Sequence, residues 1–281
     1  MRRNKKREFV GSEAELVRMT QELDEMHNDL GMPAMWEGVE RVIEATRREE
    51  FLTRASSRRT FILGASAVAV GGTALLSGGL PSIAGAVTRA RAGTSSFGSA
   101  SSSASVDHVF PPSNLTGDLA VAAVAASLEN LAIFAYTAGL GAATAGKLGK
   151  VPPAVATFAT TARTQHTQHS TAWNAVLKAN GKARVTVTNP SLTPTVKADF
   201  AKVKTIPDLA NLALVLEIIA AETYQAETAM LKSKEAIGLS ASIQPVEMQH
   251  IAILYYVLGE YPGTQNAAGS PLAFAPTSKA V

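Results

Sequence analysis

The sequence predicts an all-α protein whose folded part is an antiparallel four-helix bundle. From about residue 115 onward, four long stretches rich in apolar residues, mostly Ala and Leu, are separated by Gly, Pro and Lys/Ser breaks. Two of these stretches repeat one pattern, Leu-Glu followed by six residues and a Tyr, at Glu129 and at Glu217. Each repeat is followed, on the next predicted helix, by two potential metal ligands three residues apart.

Composition and charge exclude several classes of function. The 281 residues contain no cysteine, which rules out disulfides, thiolate metal ligands and cysteine nucleophiles. The net charge of +3 is too small and too dispersed to indicate a nucleic-acid partner. Charged residues are concentrated before residue 60, so the first part of the chain differs in character from the rest.

Residues 1–56 form a charged, helical N-terminal region. Ser12 is a suitable N-cap with Glu15 three residues later, and Gly31 and Pro33 predict the end of this first helix. A second helix is expected from about residue 36 to 52. The apolar residues of the first helix recur at steps of three and four: Leu16, Met19, Leu23, Met26 and Leu30. We interpret the pair as a solvated helical hairpin; the alternative is a cytoplasmic partner-binding or membrane-surface module.

Residues 57–86 have the features of an export signal. The segment from Ser57 to Leu63 resembles the twin-arginine motif, an apolar run from Phe61 to Leu80 follows, and Ala84-Gly85-Ala86 offers a cleavage pattern. The resemblance implies recognition by the twin-arginine translocase and export to the cell envelope or the extracellular space. About 57 residues precede the signal, which is unusually long. An uncleaved Phe61–Leu80 helix would instead tether the protein to a membrane and leave the N-terminal region in the cytoplasm.

A flexible Ser/Gly/Ala linker, residues 87–112, leads into the bundle at residues 113–260, and residues 261–281 form an irregular tail. The four helices are expected at about 115–146, 152–179, 208–231 and from near 233 to 259. A long crossover, residues 181–207, joins the second helix to the third and includes a short helical piece near 196–203. Pro152 and Pro153 suit a first helical turn, and Gly181 suits a helix end.

The turn between the third and fourth helices decides whether a metal site can form. Local signals at Gly238 and Pro245 favour a late start for the fourth helix. That start would offset the two ligand sets by about 15 Å at the helical rise per residue. A metal site therefore requires a turn at residues 232–234 with Ser233 as N-cap, and it places Gly238 and a kinking Pro245 inside the helix.

Six side chains are the candidate metal ligands. Residues three, four and seven apart share one face of a helix, so each carboxylate and each ligand pair can point into the bundle. Small residues one turn from each glutamate leave room for an ion. Buried carboxylates require compensating positive charge, which metal ions would supply. The candidates are Glu129, His166, His169, Glu217, Glu247 and His250.

This arrangement resembles the ferritin-like superfamily of di-metal carboxylate bundles, in particular exported actinobacterial proteins related to desiccation-associated proteins. The resemblance covers residues 113–260 and implies iron as the metal, with manganese or zinc as alternatives. It carries five of the six candidates over as ligands. The sixth, His166, stands where the family has a bridging glutamate, so a second ion would bind weakly or not at all. His166 is either a ligand or a hydrogen-bond donor to one.

Three further residues are candidates for supporting the ligands: Tyr136, Tyr224 and Glu222. The tyrosines lie one to two turns from the glutamates and are expected mainly to fill the core. The resemblance implies iron, O₂ or peroxide redox chemistry at one or two metal ions in an exported protein. The alternative is a non-catalytic stress or envelope scaffold that keeps the bundle with a structural ion or no metal. Whether the protein is an enzyme stays open at this stage.

Overall fold

The computed structural model describes residues 12–62 and 114–260. Its regular elements are all helices within these ranges, which confirms the all-α class. The described residues fall into two units, one formed by residues 12–43 together with 114–260 and the other by residues 44–62. The candidate site lies in the first unit. The predicted linker, the irregular tail and most of the export signal, including the apolar run after Ile62, lie outside the described residues.

Seven α-helices and one π-helical segment make up the described chain. The N-terminal region contains α1 (Glu13–Met26), the π-helical segment (His27–Gly31) and α2 (Met32–Ile62). The bundle helices are α3 (Asp118–Thr144), α4 (Pro153–Ala179), α6 (Ile206–Met230) and α7 (Lys234–Leu258), and the short α5 (Thr193–Phe200) lies in the crossover. The predicted bundle helices therefore exist, and their ends differ from the predictions by at most three residues.

The N-terminal region is one continuous helical segment, and the prediction of a hairpin was wrong. Ser12 caps α1 as expected, but the chain stays helical through Gly31 and Pro33. Around these residues the helix widens, and the Met32 amide donates to the His27 carbonyl in the π-helical pattern. Proline lacks an amide proton, so Pro33 is tolerated where the regular hydrogen-bond pattern is already interrupted.

The N-terminal helices pack against the bundle instead of being solvated. Leu16, Thr20 and Leu23 are buried, whereas Met26 and Leu30, which the sequence placed on the apolar face, are exposed. The buried stripe continues to His27. The core that contains Leu16 and Leu23 also includes apolar residues of α4, α6 and α7. The start of α2 contributes to a second core with residues from α3, α4 and α7.

Contacts between the bundle helices show that neighbours run in opposite directions. Ser170 of α4 bonds to Asn130 of α3. Nearer the turn between these helices, the Tyr136 ring packs edge-on against Phe158. The same reversal relates α6 to α7, where Thr228 bonds to Ser240 near the turn and Glu217 lies against His250 farther from it. The crossover is fixed to α3 by backbone and side-chain bonds, including those from the Asn130 amide to the carbonyls of Val185 and Val187.

The turn between α6 and α7 lies where the metal-site argument required it. Ser233 is the N-cap of α7, and its hydroxyl accepts from the Ala236 amide at 3.1 Å. The Asp118 carboxylate, at the start of α3, accepts from the amides of Lys232 and Ser233 at 2.9 Å each. Gly238 and Pro245 lie inside α7, as predicted. Tertiary contacts thus offset the local tendency of these two residues to end a helix.

By length and composition α3 is apolar enough to cross a membrane, with a mean hydropathy of 1.7 over its most apolar window. Its environment accounts for this composition. Thirteen of its residues are buried, and among the described residues it packs against α4 and α6. An Ala-rich helix buried on several sides has this composition because alanine lets neighbouring helices approach closely.

Candidate metal centre

The structure brings all six candidate ligands together in the interior of the bundle. α3 and α6 each contribute one glutamate, α4 contributes two histidines, and α7 contributes a glutamate and a histidine. Each side chain is at most 2 % exposed. They form two groups whose potential ligand atoms lie within 4.8 Å of one another. The groups are Glu129, His166, His169 and Glu247, and His166, Glu217, Glu247 and His250.

Two side chains, His166 and Glu247, belong to both groups. The His166 ring lies between the two lone glutamates, with Nδ1 2.8 Å from Glu129 Oε2 and Nε2 3.1 Å from Glu217 Oε1. Glu247 faces the other two histidines, with Oε1 3.0 Å from His169 Nδ1 and Oε2 3.4 Å from His250 Nδ1. His166 stands where the sequence resemblance implies a bridging glutamate, and it places an imidazole in the centre of the cluster.

The two tyrosines bond to the glutamates in a reciprocal way. The Tyr136 hydroxyl on α3 donates to Glu217 on α6, and the Tyr224 hydroxyl on α6 donates to Glu129 on α3. The repeated pattern of Leu-Glu, six residues and Tyr thus has a structural meaning. In an antiparallel pair, residues seven apart on one helix face residues seven apart on the other. The expectation that these tyrosines mainly fill the core was too narrow, because each one orients a candidate ligand.

Burial and pairing determine the protonation of the metal-free cluster. Burial alone would raise the pKa of Glu129, but the imidazoles of His169 and His166 outweigh it and bring this pKa to about 2. Burial alone would lower the pKa of His169, but Glu129 and Glu247 raise it to about 9. The pKa values of His166 and His250 are also raised by their carboxylate neighbours. Imidazolium–carboxylate pairs therefore balance the buried charge of the metal-free protein.

Burial raises the pKa of both tyrosines well above the ordinary value, and the neighbouring glutamates raise it further. Tyr136 and Tyr224 therefore keep their protons and remain hydrogen-bond donors to carboxylates. In Glu129 the tyrosine fixes Oε1 and Oε2 faces His166. In Glu217 the tyrosine fixes Oε1, which also faces His166, and Oε2 faces His250. The arrangement prepares both glutamates for coordination by a cation.

Three polar residues near the cluster were missed by the sequence analysis. Gln165 is fully buried, and its Oε1 accepts from His250 Nε2 at 2.7 Å. Glu227 is buried on α6, and burial together with the charge of Glu129 raises its pKa well above the usual range. His27, from the π-helical segment, is 2 % exposed, and burial and the neighbouring His169 lower its pKa to about 4.

The missed residues had weak signals in the sequence. His27 continues the stripe of Leu16, Thr20 and Leu23, but a histidine on a charged amphipathic helix does not by itself indicate burial. Gln165 and Glu227 lie in polar stretches, residues 163–169 and 222–228, in which nothing distinguishes them from their neighbours. Glu222, which was predicted to pack or to support the ligands, is buried but belongs to neither group. Glu222 and Glu227 are the two glutamates of α6 outside the ligand groups. Their different roles could be distinguished only from their tertiary surroundings.

A small space adjoins the cluster beside Glu129 and His166. Its volume is about 20 Å³, and Ala132 and Ala220 form part of its wall. This is enough for one water-sized molecule. The small residues one turn from each glutamate therefore do leave room between α3 and α6, as the sequence predicted.

We expect Tyr224→Phe to destabilise the metal-free protein by about 1–3 kcal/mol, because it removes two buried partners at once. The hydroxyl donates to Glu129 and accepts from Trp173 Nε1 at 2.9 Å, so both groups would be left unsatisfied. Urea unfolding in the presence of a chelator measures the change. Tyr255→Phe, at a half-buried position on α7, is the control and should stay within about 0.5 kcal/mol of wild type. Equal effects of the two substitutions would contradict the assigned role.

Comparison with known families agrees with this geometry. A family model described as a ferritin-like domain matches residues 117–260, just over half of the chain. The match begins at the N-cap of α3 and ends just after α7, so it includes all six candidate ligands. The N-terminal helices that pack on the bundle lie outside it. No curated protein and no solved structure is significantly similar to the chain.

Proposed function

We propose that this chain, which belongs to the ferritin-like domain family, binds two divalent metal ions in its bundle and uses them for redox chemistry. The observation that supports this most directly is the pair of buried ligand groups that share His166 and Glu247. Each group contains two carboxylates and two imidazoles. Glu247 can bridge two neighbouring ions with its two oxygens, whereas the neutral imidazole of His166 can coordinate either ion but only one at a time.

The residues present fit a metal ion. Both carboxylate oxygens of Glu247 and both ring nitrogens of His169 are buried and form no hydrogen bond. Glu247 Oε1 and His169 Nδ1 are 3.0 Å apart, but the two groups are not oriented for a hydrogen bond. Such groups are costly to bury, and coordination would satisfy them. The site offers oxygen and nitrogen donors and no sulfur, which suits iron, manganese or zinc. Three carboxylates would neutralise most, but not all, of the charge of two divalent ions, so we propose that the second ion binds more weakly.

Bound iron or manganese would supply electron transfer to O₂ or peroxide. The chain's own residues would hold the ligands in place and keep bulk water away from the ions. Tyr136 and Tyr224 hold Glu217 and Glu129 in place through hydrogen bonds. The complete burial of the ligands excludes bulk water, which strengthens their electrostatic attraction for a cation.

An apolar cavity of about 60 Å³ next to Tyr136 supports the proposal that the reactant is a small apolar molecule. It lies between α3, α4 and α6, and its wall includes Ala132, Phe158 and Leu216. Leu216 directly precedes Glu217, and Ala132 lies one turn from Glu129. A lining of this kind favours a molecule such as O₂ over a charged substrate. Filling the cavity by Ala135→Leu should slow oxidation of the ferrous-loaded protein without changing the amount of bound iron.

Metal analysis of the full-length protein, expressed in iron-, manganese- and zinc-supplemented media, tests the binding proposal. We expect two ions per chain, one of them removed more readily by a chelator. Oxygen consumption by the ferrous-loaded protein then tests the redox proposal. A protein that retains no metal would refute metal binding and would fit the non-catalytic scaffold. A protein that holds iron without reacting with O₂ or peroxide would refute only the redox function.

We also propose export through the twin-arginine route, which is supported by the motif at residues 57–63 and the apolar run that follows. The packing of residues 12–43 on the bundle adds a consequence. Cleavage after Ala86 would remove these helices from the mature protein, and an uncleaved tether would keep them on the other side of the membrane. Cell fractionation with intact-mass analysis tests the proposal: an exported chain beginning at Val87 supports it, and a full-length chain confined to the cytoplasm refutes it.

A further inference from the structure

His27 lies against the metal centre although it belongs to a helix outside the matched domain. The buried residues Leu16, Thr20 and Leu23 hold α1 on the bundle, and the π-helical segment then directs the His27 ring inward. The ring centroids of His27 and His169 are 5.4 Å apart, in an edge-to-face arrangement. This distance lies within the range found between the candidate ligands themselves, 5.1 Å for His166–His250 and 6.0 Å for His166–His169.

The three candidate histidines differ in what their second ring nitrogen contacts. His166 has both nitrogens near carboxylates. His250 directs Nδ1 to the glutamates and donates from Nε2 to Gln165. His169 directs Nδ1 to Glu247, while its Nε2 is buried without a hydrogen-bond partner. A metal-bound histidine almost always has an outer partner that fixes its ring, so His169 requires one.

Two described rings pack edge-to-face on His169, and His27, at 5.4 Å, is closer than His166, at 6.0 Å, which is itself a candidate ligand. His27 is therefore the ring that can supply that contact. A ring N–H can interact with the face of a neighbouring aromatic ring when no stronger acceptor is available. The His27 ring is itself fixed, because its Nε2 lies 2.7 Å from Oε1 of Gln168, the residue directly before His169. π-Helical segments of this kind occur frequently at functional sites, where they redirect a side chain.

We propose that His27 is a positioning residue of the metal centre, which holds the His169 imidazole in its coordinating orientation from the π-helical segment that follows α1. This inference rests on the proposed metal binding. It gives the N-terminal region a role in the metal site of the uncleaved chain, through the His27 ring; the cleavage after Ala86 proposed above would remove that ring from the site.

Cobalt binding to the full-length protein tests the role of His27. The measured quantities are the Co²⁺ dissociation constant, from competition with a chelator, and the visible spectrum of bound Co²⁺, which reports ligand geometry. His27→Leu fills most of the ring volume but has no aromatic face. We expect it to weaken Co²⁺ binding at least about tenfold, as losses of outer partners do, and to shift the spectrum. His27→Phe restores an aromatic face and should stay within about threefold of wild type.

Leu23→Ala is the matched control on the same buried stripe of α1. It loosens the helix without touching His169, so it should leave the spectrum unchanged and weaken binding less than about threefold. If His27→Leu fails to fold, Gln168→Ala replaces it; this variant frees the His27 ring and should weaken binding several-fold.

Two outcomes would overturn the inference alone. In the first, wild type binds Co²⁺ and His27→Leu binds it equally well with the same spectrum. In the second, Leu23→Ala reproduces both effects, which would show that docking of α1, and not the His27 ring, matters. A wild-type protein that binds no Co²⁺ would refute the proposed function and this inference together.

Discussion

Glu247→Gln is expected to abolish metal binding at both ligand groups. Glu247 belongs to both groups, and neither of its oxygens has a hydrogen-bond partner. The substitution keeps the shape of the side chain but removes the negative charge that faces His169 and His250 at 3.0 and 3.4 Å. Loss of one buried charged partner costs about 3 kcal/mol or more, which corresponds to at least about a hundredfold loss of affinity for each ion.

Substitution of either unshared glutamate should remove one of the two ions instead of both. Glu129 belongs only to the group with His169, and Glu217 only to the group with His250. Glu129→Gln and Glu217→Gln are therefore each expected to leave one ion per chain. The metal-to-protein ratio after removal of loosely held ions measures the difference. Glu222→Gln changes a buried carboxylate of α6 outside both groups and should retain two ions.

The number of bound ions in the three ligand variants, compared with one another, tests whether the two groups share Glu247. A Glu247→Gln protein that keeps one ion would show that the groups do not share this ligand. Complete loss in all three ligand variants would indicate that the two ions bind only together. The first result would contradict two groups that share Glu247, and the second would contradict their separate occupation, even if wild type binds metal.

The metal-free protein is expected to lose stability between pH 6.5 and pH 9. Burial alone would lower the pKa of His169, but Glu129 and Glu247 raise it from an ordinary 6.5 to about 9 in the folded chain. The protonated ring therefore stabilises the fold fully below pH 6.5, and this contribution disappears as the pH rises through 9. A pKa difference of this size corresponds to about 3 kcal/mol.

The acid side behaves in the opposite sense. Burial alone would raise the pKa of Glu129, but His169 and His166 lower it from 4.5 to about 2. Its contribution to stability is present above pH 4.5 and is lost as the pH falls through 2. By themselves these two groups place the maximum of stability between about pH 4.5 and pH 6.5. His27, whose pKa burial and His169 lower from 6.5 to about 4, loses its contribution as the pH falls through that range and moves the maximum towards pH 6.5.

Bound metal should reverse the trend at high pH. Coordination requires imidazoles without the proton that the metal-free protein holds, so metal binding releases protons and strengthens as the pH rises. Urea unfolding at pH 6 and pH 9, with chelator and with added metal, distinguishes the two states. His169→Gln serves as the control and should flatten the profile of the chelated protein. Equal stability of chelated wild type at both pH values would contradict the imidazolium–carboxylate pairing.

The bundle could be predicted from the sequence because its signals agree with one another. Pro153 at the start of α4 and Gly181 after its end mark a helix by local chemistry alone. The start of α7 was harder to predict, since Gly238 and Pro245 locally disfavour a helix that begins before them. It became predictable only because Glu217 and the pair on α7 must lie at equal depth in an antiparallel hairpin. Ser233 then caps the helix as that requirement demands.

The N-terminal region could not be predicted in the same way. Gly31 and Pro33 are the usual signals for a helix end, but the π-helical segment carries the chain past them. The buried stripe passes through Leu16, Thr20, Leu23 and His27 at ordinary helical spacing, and Met26 and Leu30 are left exposed. Whether a charged amphipathic helix is solvated or docked depends on a partner surface that its own sequence does not contain.

The sequence by itself determined the all-α class, the positions of the bundle helices and the six side chains that meet in the core, because these follow from local periodicity and from spacings along single helices. The tertiary structure decided how those side chains are supported. It set Tyr136 on Glu217, Tyr224 on Glu129 and His27 against His169. Each of these pairs joins two helices that are distant along the chain, and no spacing within one helix reports the depth and rotation at which two helices pack.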